Sequence, residues 1–290
     1  MTLLWIFSAF LLVLLALGVG FSFHLTRRFG LTEVHTPAEY DLPYEEVTFP
    51  ARDGTTLRGV WIPAPDSDRA IVILHGHGGS MDWDIQRAPH FHRAGFNVLL
   101  FDFRAHGRSD GRLATFGYLE RQDVLGAVDF LKERGMRRIG LLGFSYGGIA
   151  SMLSAPLCPD IHAVVSDGGP ARLCSAIAGR AVQLGLPRRL GRLLGWWVVA
   201  VTSLRLGVNL FRYEPVRWVG KISPRPIFFV HGELDPYLDD FDDLVAAAGE
   251  PKEVWRLPGV GHTKASEVYP EEFYRRVVGF FQRNLLQEIT

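Results

Sequence analysis

Short apolar runs recur along most of the chain, and each is followed by a stretch in which apolar residues return every three or four positions. The runs are Ile71–Leu74, Val98–Phe101, Ile139–Leu142, Ala163–Val165, Ile227–Val230 and Val254–Leu257. Continuous rather than alternating apolar character marks strands buried on both faces, and strands alternating with helices predict a parallel sheet. Helices are expected over Trp83–Arg93, Tyr118–Arg134, Tyr146–Ala155, Leu238–Ala248 and Glu271–Leu286; in the second, Val124, Val128 and Leu131 form one apolar face. Ahead of these, Glu46–Phe49 and Leu57–Ile62 flank the turn signal Arg52-Asp53-Gly54 and read as a leading antiparallel hairpin. The pattern predicts one α/β domain over residues 44–290, with an eight-stranded, mostly parallel sheet and helices on both faces.

The N-terminus follows a different rule. Leu3 to Phe23 carries no charge, and as a helix it would extend roughly 32 Å, the thickness of a bilayer core. This predicts a transmembrane anchor over residues 1–24 and a polar linker over 25–43. A cleaved signal peptide is the alternative: it wants a basic leading region, which is absent, but Ala16, Gly18 and Gly20 leave a cleavage site open. Arg27 and Arg28 are the nearest charges. By the positive-inside rule they predict a single-pass membrane protein with its main domain in the cytoplasm.

Composition narrows the function classes. Thirty-one Lys and Arg balance thirty-one Asp and Glu, which leaves no overall electrostatic footprint for nucleic acid. At 290 residues with 48% apolar and 21% charged residues the chain is neither disordered nor in need of covalent staples. Cys158 and Cys174 cannot make a disulfide framework.

The candidate chemistry sits at strand ends. Ile139–Leu142 runs into Gly143-Phe144-Ser145-Tyr146-Gly147-Gly148 and then a predicted helix, the context in which G-x-S-x-G presents a nucleophilic serine on a strained turn. The helix start beneath Ser145 favours an oxyanion, with the Tyr146 N–H as one donor. A serine hydroxyl needs a base, and the base needs an orienting acid. His262, in Pro258-Gly259-Val260-Gly261-His262, and Asp235, after the seventh strand, stand in the required order; Asp167, ending the sixth, is the reserve acid. The loop His75-Gly76-His77-Gly78-Gly79 ends the third strand, and the His77 N–H is the expected second oxyanion donor. His75, His77, His90 and His92 raise a metal reading, but Gly79 and Ser80 stand where a metallo-hydrolase motif wants Asp and His. No metal and no cofactor are expected.

With these residues the chain resembles the α/β-hydrolase superfamily over about residues 44–287. The resemblance includes the His75 loop, Asp102-Phe103-Arg104-Ala105-His106-Gly107-Arg108-Ser109, the serine turn and both partners of the serine. It is similar to the small membrane-anchored ABHD-type branch, many members of which act on acyl esters or thioesters. The resemblance implies an α/β-hydrolase fold with a helical lid between strands six and seven. Ser145 at the apex excludes relatives that use an aspartate nucleophile.

That interruption spans about residues 171–226, with ten basic residues against the single acid Glu214, and holds Trp196 and Trp197 in a short apolar run. Two readings stand: a lid whose arginines are solvated and whose tryptophans pack on the body, or a basic, aromatic helix resting on an anionic membrane. The expected activity is hydrolysis of ester or thioester bonds of small-molecule or lipid acyl substrates through an acyl-enzyme, with membrane lipids as partners. A serine peptidase, or a catalytically silent membrane-tethered binding module, is the alternative.

Overall fold

The structure, a computed structural model, describes residues 2–31, 34–237 and 240–285. Eight strands, β1 (Glu45–Pro50), β2 (Thr56–Ile62), β3 (Arg69–Leu74), β4 (Asn97–Phe101), β5 (Arg138–Phe144), β6 (Ile161–Asp167), β7 (Ile227–Gly232) and β8 (Lys252–Leu257), form one sheet. Their spatial order is β1-β2-β4-β3-β5-β6-β7-β8. β2 is antiparallel to both β1 and β4, and the remaining neighbours are parallel. The helices are α1 (Thr2–Thr26), α2 (Ala88–Arg93), α3 (Glu120–Glu133), α4 (Tyr146–Ser154), α5 (Leu173–Gln183), α6 (Arg188–Leu206), α7 (Phe241–Ala247), α8 (Ala265–Val268) and α9 (Pro270–Leu285). The expected helix start at Leu238 and helix end at Leu286 lie outside the described residues.

Strand alternation divides the core in two. Ala70, Val72 and Leu74 face Val124, Val128 and Leu131 of α3 and Ala150 of α4, while Ile71 and Ile73 face Phe91 of α2 and Phe273, Val277 and Phe281 of α9. Both faces are therefore dry, and this is why the strand sequences are continuously apolar. The segment expected as one helix over Trp83–Arg93 is a 3₁₀ turn, Met81–Arg87, running into α2.

β3 lies between β4 and β5, so the connections leaving it and β5 diverge and open a crevice at the carboxyl ends of the strands. Above that edge stand α5 and α6, the helices of the interruption between β6 and β7. In α1, the stretch Trp5–Thr26 is long and apolar enough to cross a membrane, a test that a signal sequence also passes. Residues expected as linker are tied to the body: Phe29 bridges to His106, and the Arg28 guanidinium donates to the Gly107 and Gly111 carbonyls.

Candidate active site

Ser145 follows β5 and precedes α4 with φ 52°, a left-handed backbone that no serine adopts freely. Glycines make the turn feasible. A Cβ on Gly147 would fall 2.1 Å from the Leu74 carbonyl oxygen, and one on Gly143 would fall 2.3 Å from Gly147. The Ser145 hydroxyl lies 2.8 Å from His262 Nε2, and His262 Nδ1 lies 2.6 Å from Asp235 Oδ2. The other carboxylate oxygen of Asp235 accepts the Tyr237 N–H at 2.8 Å, which fixes the carboxylate on its loop. Asp235 is buried, and the Tyr237 ring packs edge-on against His262. Three sequence segments thus converge: the turn from β5 into α4, the loop after β7 and the loop after β8.

Asp167 is not part of this chain of hydrogen bonds. Its backbone carbonyl accepts the Ser145 N–H at 2.8 Å, while its side chain is buried with Oδ2 unpartnered among the described residues. Burial, reinforced by the charges of Asp235 and Asp84 and opposed by Arg87, pushes its carboxyl up to about 7. A proton therefore neutralises Asp167 below about pH 7, and it is Asp235, at 2.6 Å, whose carboxyl group meets the imidazole. His231 lies 3.5 Å from Asp235 Oδ2, and burial lowers it to about 4, so it adds bulk rather than charge.

The His77 loop is held from three sides. His77 Nε2 donates to the Leu25 carbonyl at 2.9 Å, the Gly78 N–H donates to His106 Nε2 at 3.2 Å, and Phe29 packs against both rings. His75 is committed as well: the Phe103 N–H donates to its Nε2 at 3.0 Å and its Nδ1 faces the Gly76 carbonyl. Burial lowers His75 and His77 to about 4 and His106 to about 3, so all three are neutral. His90 stacks on Tyr274 and His92 Nε2 donates to the Pro63 carbonyl. No group of three metal-ligating side chains occurs among the described residues.

The motif Asp102–Ser109 supports the loop rather than the reaction. Asp102 accepts the Met81 and Arg108 N–H groups at 2.8 and 2.7 Å, and Arg108 forks onto Asp82. Arg104 forks onto Asp53 and also bonds buried Asp123. Sequence reasoning singled out the motif but not its partners Asp53, Asp82 and Asp123, which lie 19 to 51 residues away from Arg104 and Arg108 in the chain.

Two clefts meet at Ser145. One, about 360 Å³, is walled by apolar side chains including Phe116, Ile149, Leu173, Ile177 and Val199, and reaches Phe21 and Leu25 of α1. The other, about 710 Å³, is polar and is lined by His35, Asp84, Gln86, Arg87, Lys264 and Glu267. An apolar chain and a polar group joined at a reactive centre would fit the two sides of the serine.

Comparison with known proteins agrees with this architecture. Residues 69–188 match a family model described as alpha/beta hydrolase fold. The solved structure of the Pyrococcus furiosus esterase Pf2001 is 26% identical, covers 89% of this chain and 99% of its own, and superposes with a TM-score of 0.73. Polyketide transferase grgF of Penicillium sp. is 27% identical over 289 residues, covering 84% of this chain and 98% of its own. The uncharacterized protein YfhR of Salmonella typhimurium is 28% identical over 263 residues, 86% of this chain and 84% of that one. On fold, strand order, family match and esterase neighbours together, the chain belongs to the α/β-hydrolase superfamily and is a hydrolase of that fold.

Proposed function

We propose that the protein is a membrane-anchored serine esterase that cleaves carboxylic esters or thioesters of acyl-chain substrates. The observation that carries this reading is the hydrogen-bonded chain from Ser145 through His262 to Asp235 at the floor of an apolar cleft. In the proposed reaction His262 takes the Ser145 proton as the oxygen attacks the carbonyl carbon, and Asp235 stabilises the imidazolium. The N–H groups of His77 and Tyr146 bind the oxyanion. His262 then gives its proton to the departing alcohol or thiol, and water, deprotonated by the same imidazole, releases the acid and restores Ser145. The Tyr146 N–H suits this role because it opens α4, where the first N–H groups have no intrahelical acceptor.

The apolar lining favours an acyl chain over a peptide. The likeness to a polyketide transferase supports acyl transfer as the underlying chemistry, with water as the acceptor in our reading. Trp5–Thr26 is the proposed anchor, and Arg27 and Arg28 favour a cytoplasmic catalytic domain. Labelling of the detergent-solubilised protein by a fluorophosphonate probe tests the reading. Labelling abolished by Ser145→Ala and His262→Ala is expected, and folded wild-type protein that resists the probe in detergent and in anionic liposomes would overturn it.

A further inference from the structure

We infer that α1 is a working wall of the acyl site, held in place by its packed seam with α6, and that the substrate, an acyl chain esterified to a polar group, enters from the bilayer beside that helix pair. The inference rests on the anchored-esterase reading above. Phe21 and Leu25 line the same cleft as Ser145, and the Leu25 carbonyl holds the His77 ring, so the last turns of α1 touch both the chain site and the proposed oxyanion loop.

The seam itself is built from small residues. Gly18, Ser22 and Thr26, spaced by four, form a buried stripe on α1. A Cβ on Gly18 would fall 2.1 Å from the Trp197 ring of α6. Arg205 of α6 donates to the Ser22 hydroxyl at 2.8 Å, to the Ser22 carbonyl at 3.3 Å and to the Thr26 hydroxyl, and its guanidinium lies over Phe23. Close helix approach through small residues, with polar groups bonded across it, is how helices associate in lipid. Loss of α1 as a cleaved peptide would strip Trp197, Arg205 and His77 of these partners together, which favours its retention.

The span itself sets the depth. Trp5–Thr26 rises about 33 Å as a helix, close to the roughly 30 Å of a bilayer core. Phe21, which lines the cleft, stands about 8 Å before the end of that span, near one hydrocarbon boundary. At that level the insertion offers apolar surface to lipid: Leu184, Leu190, Leu193 and Trp196 are 54% to 71% exposed. Arg188, Arg189 and Arg192 are interleaved with them in sequence, as suits an anionic headgroup layer. The polar cleft opens on the other side of Ser145, where His35, Arg87 and Lys264 can receive the polar part of the substrate.

The test uses the wild-type full chain in phosphatidylcholine–phosphatidylglycerol vesicles, with a fluorophosphonate whose dodecyl chain ends in a diazirine. After irradiation, cross-links from phosphonylated Ser145 are expected on residues 18–25 of α1 and on α6. Phosphonylation with cross-links confined to other segments would overturn the inference and leave the esterase reading intact; absence of phosphonylation would overturn both. As a second measurement, Phe21→Trp should lower the ratio of kcat/KM for nitrophenyl dodecanoate over nitrophenyl acetate by about tenfold. A ratio unchanged from wild type would count against α1 as a chain-binding wall.

Discussion

Replacing Asp167 by Asn probes the electrostatics behind the serine, and its effect can be worked out with its sign. In the folded protein burial lifts this carboxyl to about 7, against an ordinary value of 3.8. Between those values the native state holds a proton that the unfolded chain has lost, so raising the pH removes stability, and the loss is complete above about 7. A difference of about three pH units corresponds to about 4 kcal/mol. The amide introduced by Asp167→Asn mimics the protonated acid in shape and charge at every pH. Variant and wild type should therefore melt alike near pH 4, and the variant should gain as pH rises, by roughly 10 °C at pH 8 if each kcal/mol shifts the midpoint by about 2–4 °C. Thermal scans in one detergent at matched rates read this directly. Parallel curves, with the same difference between the two proteins at both pH values, would refute the buried, proton-bearing Asp167. They would also reopen the question of which carboxylate serves His262.

Three further outcomes follow from the site. Asp235→Asn should lower kcat by roughly three to four orders of magnitude, since an amide cannot hold the His262 tautomer that accepts from serine; steady-state kinetics on a nitrophenyl ester would read it, and a loss smaller than that of Asp167→Asn would reverse the assignment. Gly147→Ala should destabilise the protein by roughly 3 kcal/mol, because its Cβ meets the Leu74 carbonyl oxygen at 2.1 Å and backbone on both sides cannot yield cheaply; an unchanged urea midpoint would show that the turn has room to spare. Lengthening the acyl group from acetate to hexanoate should raise kcat/KM by up to roughly 200-fold at about 0.8 kcal/mol per buried methylene. A flat series would exclude the apolar cleft as the chain site.

Local constraints were legible in the sequence, and pairings between distant segments were not. Five of the six parallel strands, β3 to β7, announce themselves because both faces of each are buried, so Ile71–Leu74 or Ile227–Val230 has no polar position to confuse the period, whereas the edge strand β8 is largely exposed. Strand ends are harder: β6 extends to Ile161 and Asp167, where His162, Ser166 and Asp167 break the apolar run. The serine turn is legible because its geometry is imposed by glycines within five residues. The order Ser, Asp, His admits both Asp235, the expected acid, and Asp167, the reserve, because one follows β7 and the other ends β6; what separates them physically is which side chain reaches His262.

The N-terminal helix carries this argument furthest. Gly18, as read from the sequence, belongs to a small-residue pattern that a signal peptidase would accept; in the structure it is the place where the Trp197 ring lies against α1. The two readings share a composition and differ in partner, and the partner stands about 180 residues downstream, beyond any local pattern. The same holds for Ser22 and Thr26, which look like incidental polar residues in an apolar helix until Arg205 is found across from them. An arginine beside an apolar helix incurs a cost unless its donors are matched, and more so in the lipid setting proposed for α1. The matching of Arg205 to two hydroxyls and a carbonyl is therefore a reason for α1 and α6 to move as one body, which is what the proposed chain-binding wall requires of α1.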